Sequence, residues 1–259
     1  MPAPQKTGKM RPMSPIRTRI FLISLARQRE RRERSLHQLE ATGWDFEVVE
    51  GIDALRVKRR ELVVPVHAWL NFFIGEVACY HSHLEVFRRI TAADLDYGLI
   101  LEDDLKLVPG TTMTLATVWD HLPPGADHIQ LHNVRDEKFR GYRMIEPGER
   151  FNRVCPTNTG GWGYIVSRRL VDYVLEHHSI PRKPMDDVFI QLSRTRKDRF
   201  GFYDTVERLV DTHWGNPSSI NRWIPAPRSA RLTLRYWKEY QARKHHPPPA
   251  ALSPTPNRA

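Results

Sequence analysis

The chain has 259 residues, with 40 Lys and Arg against 30 Asp and Glu and a formal net charge of +10. That length allows one large domain with its own core, and 40% hydrophobic with 10% aromatic residues excludes wholesale disorder. Two cysteines, Cys79 and Cys155, form neither a disulfide framework nor a four-ligand zinc site, which points to a reducing, cytoplasmic setting. No apolar run approaches the roughly 20 residues of a membrane span, and the basic N-terminus is not followed by a signal-peptide core. The charge is concentrated at the ends: residues 1–35 carry +8 and residues 225–259 carry +6, leaving −4 on the body between them. A folded basic platform for nucleic acid is therefore not expected.

Residues 1–18 read as a flexible, Pro-rich basic arm. Ile20–Leu25 is an apolar run suited to a buried strand. Residues 27–42 carry Leu36 and Leu39 and stop at Gly43, as a helix does. Trp44, Phe46 and Val48 alternate with acidic residues in strand fashion. This β-α-β order builds a parallel sheet whose ligands bind at the carboxyl ends of the strands. Residues 75–92 repeat apolar side chains at three- and four-residue steps, an amphipathic helix. Tyr97–Leu101 is the next strand, residues 111–122 are expected to be helical, and Ile129–Leu131 is strand-like. Residues 135–153 read as charged loop. Trp162–Val166 forms a strand that passes through Ser167, a good N-cap, into a helix ending near His178. A short helix starts near Met185, and residues 202–212 have a mixed, strand-like pattern. Beyond Pro225, aromatic and basic residues at 231–244 fit a helix, followed by a Pro-rich tail.

Glu102-Asp103-Asp104 directly follows the Tyr97–Leu101 strand. Carboxylates between apolar residues need partners. Side chains two apart on an extended segment share a side, so Glu102 and Asp104 converge on one cation and Asp103 points elsewhere. Hard oxygen ligands suit Mg²⁺ or Mn²⁺. His81 and His83 stand about 200° apart on a helix and do not chelate together. His83 is expected to order a neighbouring backbone group or carboxylate, with Glu76 as a companion.

Several motifs occur in a telling order: Ile23-Ser24-Leu25-Ala26-Arg27 with Arg31-Arg32-Glu33-Arg34; Val49-Glu50-Gly51-Ile52-Asp53; Gly75-Glu76-Val77-Ala78-Cys79 with Ser82-His83-Leu84 and Phe87-Arg88-Arg89-Ile90; Leu101-Glu102-Asp103-Asp104; Gly160-Gly161 before Tyr164-Ile165-Val166-Ser167; and Pro184-Met185-Asp186-Asp187. In order and spacing this resembles glycosyltransferase family 25, the family of bacterial lipopolysaccharide glycosyltransferases and collagen galactosyltransferase domains. The resemblance spans about residues 18–220. It implies a GT-A-like α/β fold over residues 19–224, with a central, mostly parallel sheet flanked by helices. It also implies a nucleotide-sugar donor, UDP-galactose or another UDP-hexose, and a metal, Mn²⁺ or Mg²⁺, at a DxD-type motif represented here by Glu102-Asp103-Asp104. Ser24 stands where the family usually has Asn, and Ala26 where it often has Asp.

On that footing Ser24, Leu25, Arg27, Arg31, Gly51, Asp53 and Asp103 are expected at the nucleotide. Cations in the first turns of a helix oppose its dipole, and an anion bound there, such as a diphosphate, offsets the cost. Gly160, Gly161 and Trp162 form a loop that a sugar approaches closely. Asp186 or Asp187, with the weight on Asp187, acts as the base for an acceptor hydroxyl in an inverting reaction. His213 is expected as a late third metal ligand beside Glu102 and Asp104. The acceptor is expected to be a saccharide or lipid-linked saccharide, with the 231–244 helix either lying on an anionic membrane or packing on the domain. Two alternatives stay open: a non-catalytic relative that binds sugar or a partner, and a basic nucleic-acid-binding protein.

Overall fold

The computed structural model describes residues 16–56, 74–132, 144–157, 160 and 162–212. Strand β1 (Thr18–Ser24), helix α1 (Arg29–Glu40) and strand β2 (Phe46–Glu50) form the first unit, and helix α2 (Ile74–Ala92) precedes β3 (Tyr97–Glu102). Next come β4 (Leu105–Leu107), a 3-10 turn at Val118–His121, β5 (Ala126–Gln130), β6 (Met144–Glu146) and β7 (Phe151–Val154). The chain then forms β8 (Gly163–Ser167), α3 (Arg168–His177), α4 (Met185–Thr195), β9 (Gly201–Thr205) and β10 (Val210–Thr212).

The main sheet has eight strands in the order β2-β1-β3-β8-β5-β9-β7-β6, and β4 pairs with β10 in a separate ribbon. Six of the eight strands point one way; β8 and β7 are reversed, so just three of the seven neighbouring pairs are parallel. The expected α/β sheet is thus mostly parallel in strand direction and mixed in pairing.

Both faces of the sheet are covered, which is why β1 and β3 are continuously apolar. Phe21, Ile23, Ile100, Tyr164, Val166 and Phe202 pack with residues of α2, α3 and α4. Ile20, Leu22, Leu99, Leu101 and Ile165 point to the other face, with Leu39 of α1, Met113, Leu115 and Val118. Helices α1 and α2 therefore lie on opposite faces. The chain leaves β1 toward β2 on one side and returns to β3 on the other, which makes the carboxyl ends of β1 and β3 a topological switch point. Ser167 caps α3 as expected, its side chain accepting from Leu170 N–H.

Two expectations fail. Residues 111–122 are not an α-helix; turns lead to the short 3-10 segment, because threonine hydroxyls capture the local backbone. Thr114 N–H donates to Thr117 Oγ1 (2.9 Å), and Thr112 N–H donates to Glu207 (2.9 Å). The stretch read as loop, 135–153, contains the strand Met144–Glu146 and most of Phe151–Val154; these two pair with each other, and Phe151–Val154 pairs with β9, a long-range partnership without local signal.

His128 of β5 is 1% exposed, and neither ring nitrogen has a hydrogen-bond partner among the described residues. Its ring packs on Tyr164, Phe189 and Phe202, at 5.3, 4.4 and 5.8 Å between centroids. Burial pushes its pKa down to about 3. An unfolded histidine takes its proton near pH 6.5, so stability is lost as pH falls from there toward 3. His128→Phe is expected to stabilise the fold by about 1–3 kcal/mol, by removing orphaned polar atoms. It should also flatten the acid limb, as read by urea denaturation at about pH 7 and about pH 4.5.

Candidate functional site

At the switch point a cleft opens, lined by Ser24 and Leu25 at the end of β1, Gly51 and Ile52 after β2, Ala78, Cys79 and Ser82 of α2, and Glu102 and Asp103 at the end of β3. Arg27 and Arg31 stand on its wall. Of the residues expected at a nucleotide, Ser24, Leu25, Arg27, Arg31, Gly51 and Asp103 line this cleft, and Asp53 stands beside them through Arg27. Gly51 is there because the backbone is crowded: a Cβ would lie 3.1 Å from Leu25 Cδ2 and 3.4 Å from Ile23 Cγ2. Ser82 Oγ holds the following segment by accepting from Ile52 N–H at 2.8 Å.

Strand β3 ends at Glu102, and Asp103-Asp104 form a turn, so the alternation argued from an extended chain does not carry past Glu102. Asp103 is 6% exposed and knits the cleft floor. Its Oδ2 accepts from Ser24 Oγ (2.9 Å) and Leu25 N–H (3.2 Å), and Oδ1 meets the Arg31 guanidinium at 2.7 Å. Ser35 Oγ donates to the Asp103 carbonyl at 2.9 Å. Arg31 also reaches Asp104 Oδ2 at 3.1 Å. Arg31 thus has anions in the chain's own Asp103 and Asp104, and it stands on the cleft wall as well. Asp103 serves as frame, with both carboxylate oxygens engaged.

Asp104 has the opposite character. Its Oδ1 is buried and without a hydrogen-bond partner among the described residues. Burial, then repulsion from Glu102, pushes its pKa up to about 7 despite Arg31. A carboxylate raised by burial and by a neighbouring carboxylate, with one oxygen orphaned, has the electrostatics of a site that takes a cation. Behind Glu102, His83 Nε2 lies 3.4 Å from Glu102 Oε1, and His83 Nδ1 lies 2.7 Å from the Tyr164 hydroxyl. The carboxylate that His83 faces is thus Glu102.

Arg27 pairs with Asp53 at 2.9 Å, so these two expected donor contacts form one rim feature. Gly160 has φ +103°, a left-handed conformation that favours glycine. Its N–H donates to Asp186 Oδ2 at 3.0 Å, and its carbonyl accepts from Gln130. Trp162 lies against the buried His132 ring, 4.3 Å between centroids, and burial pushes His132 down to about 4. Asp186 is close enough to Cys79 and Tyr164 to raise both, although burial is the first cause for each. Its other oxygen accepts from Asp187 N–H at 2.9 Å, while Asp187 itself is exposed. Gly161, Asn158, Thr159, His213 and the 231–244 segment lie outside the described residues. No helix among the described residues is long and apolar enough to cross a membrane.

Sequence reasoning weighed His81 with His83 and missed Cys79. The signal was the four-residue step from Cys79 to His83, which places both on one helix face. Tyr164 was read as strand only.

An α/β sheet covered by helices on both faces, with a cleft at its switch point, is an architecture in which ligands bind at the carboxyl ends of the strands. The sequence family described as glycosyltransferase family 25 (LPS biosynthesis protein) matches residues 17–189, and the chain belongs to that family. It is 28% identical over 171 residues to the lipooligosaccharide biosynthesis protein lic2B of Haemophilus influenzae, covering 61% of this chain and 62% of that protein. It is 27% identical over 101 residues to mouse procollagen galactosyltransferase 2, covering 34% of this chain and 16% of that protein. The match thus spans less than two thirds of either relative. A solved glycosyltransferase involved in glycosylation of the major capsid of PBCV-1 superimposes with a TM-score of 0.33 at 12% identity, covering 84% of this chain and 76% of that one.

Proposed function

We propose that the chain is an inverting, metal-dependent transferase. It moves a hexose, galactose in this reading, from a UDP-sugar to a saccharide acceptor of lipopolysaccharide or another cell-surface glycan. The observation that carries the reading is Asp104, in the turn that follows the Glu102–Asp103 wall of the cleft, raised by burial and by Glu102 and with one of its oxygens orphaned among the described residues. Family membership and the names of the two relatives agree with it.

Glu102 and Asp104 would hold Mn²⁺ or Mg²⁺, with Asp103 and Arg31 fixing the turn that presents them. When bound, the ion supplies positive charge to the departing diphosphate. Ser24, Leu25 and Gly51 form the floor for the nucleotide, and Arg27 with Asp53 forms its rim. Asp186 ties down the Gly160 turn, and Trp162 offers a face to the sugar. Asp187 takes the proton of the acceptor hydroxyl. The freed oxygen then bonds the anomeric carbon as the bond from that carbon to the UDP oxygen breaks. Asp187 is preferred over Asp186 because its side chain is exposed at the start of α4, whereas Asp186 is half-buried and ties down the Gly160 turn. The protein works at the cytoplasmic membrane face in this reading, which rests on the aromatic and basic composition of residues 231–244.

Asp104→Asn keeps the shape of the turn and removes a charge that its neighbours already oppose. It is expected to weaken Mn²⁺-dependent UDP binding by about tenfold or more without lowering the melting temperature. Calorimetry of UDP with and without Mn²⁺ reads the first and a thermal melt the second. Unchanged Mn²⁺-dependent UDP affinity would move the metal elsewhere.

A further inference from the structure

Cys79 and His83 stand one turn apart on α2 and present a thiol and an imidazole to the same place. A sulfur, a ring nitrogen and a Glu102 oxygen lie there within 4.8 Å of one another. His83 is buried, and Cys79 and Glu102 are partly so. Two further features suit a metal. The Tyr164 hydroxyl, 2.7 Å from His83 Nδ1, fixes the ring with Nε2 turned toward Glu102. Hydrogen bonding at the far nitrogen is how a metal-binding imidazole is usually oriented. The 3.4 Å between Nε2 and Glu102 is also long for a direct hydrogen bond.

The donor set decides which metal. Mg²⁺ and Mn²⁺ favour oxygens and have little use for a thiolate, whereas Zn²⁺ accepts sulfur, nitrogen and carboxylate together. Three protein ligands with one open position is the pattern of zinc sites that face a cleft.

We propose that Cys79, His83 and Glu102 form a Zn²⁺ site in the cleft wall, its fourth position open to the cleft. On binding, the Cys79 thiol proton passes to solvent and the thiolate takes its place on the ion. Glu102 belongs to this site and to the oxygen site with Asp104, so zinc competes for it with the harder cation. The site rests on the cluster's own geometry and stands whether or not the chain transfers sugar.

Co²⁺ is the probe, because a cysteine thiolate bound to it absorbs in the near ultraviolet by charge transfer. The chain has two cysteines, so the band can be assigned. Reduced, full-length protein titrated with Co²⁺ should show the band at one ion per chain, and one equivalent of Zn²⁺ should remove it. Cys79→Ser should abolish the band. Cys155→Ser should keep it, since that thiol donates to the Ser193 carbonyl elsewhere. His83→Ala and Glu102→Gln should weaken Co²⁺ binding by about 10–100-fold. The wild-type protein alone can overturn the proposal, by giving no thiolate band with Co²⁺. A band that survives Cys79→Ser, or that keeps full affinity in both His83→Ala and Glu102→Gln, also overturns it.

Discussion

Replacing Arg31 with alanine is expected to cost about 3–5 kcal/mol of folding stability, because it leaves buried carboxylates without their cation. The Arg31 side chain is 9% exposed and meets Asp103 at 2.7 Å and Asp104 at 3.1 Å. Asp103 cannot be relieved by water, since its side chain is 7% exposed. It is also the knot that joins β1, α1 and the end of β3. Burial already pushes its pKa up, and Arg31 is the foremost group opposing that. Arg32 is the control. Its partner Glu50 lies at a similar 2.8 Å but is 56% exposed, so Arg32→Ala should cost about 0–1 kcal/mol. Urea denaturation of the two variants reads the difference. Adding Asp103→Asn to Arg31→Met should recover part of the loss, because removing both charges spares the fold an unpaired one.

Asp187→Asn is expected to lower kcat by about 10²–10⁴ while leaving UDP affinity unchanged, the result of removing a base that acts only on the acceptor. Asp186→Asn should behave differently. Its carboxylate holds the Gly160 N–H at 3.0 Å, so loosening that turn should raise KM for the sugar donor more than it lowers kcat. Initial rates at varied donor and acceptor separate the two. Equal kcat loss in both variants would remove the division of labour.

The parts legible in the sequence were those whose periodicity and caps agree with their final place. Strands β1 and β3 are apolar throughout because helices cover both faces, and Ser167 marks its helix start within one residue. Residues 111–122 misled because apolar spacing says nothing of four threonines able to bind backbone. Strand β7 was hidden because its order comes from β9. At the site, Glu102 and Asp104 were legible as an acidic cluster at a strand end. The role of Arg31 was not. Its pairing with Asp103 and Asp104 comes from the packing of α1 on the β3 turn, which has no local signal in the sequence. Cys79 was missed for a related reason: a helix face shows its chemistry only when the facing strand end supplies Glu102.

Metal-dependent chemistry on a nucleotide sugar in the switch-point cleft is tested by turnover of a panel of nucleotide sugars by the full-length protein, with and without acceptor saccharide, in Mn²⁺ and in EDTA. UDP is expected to be released from a UDP-hexose in Mn²⁺, with UDP-galactose foremost, and not in EDTA. Turnover undiminished by EDTA, or none from any nucleotide sugar in Mn²⁺, would contradict this expectation.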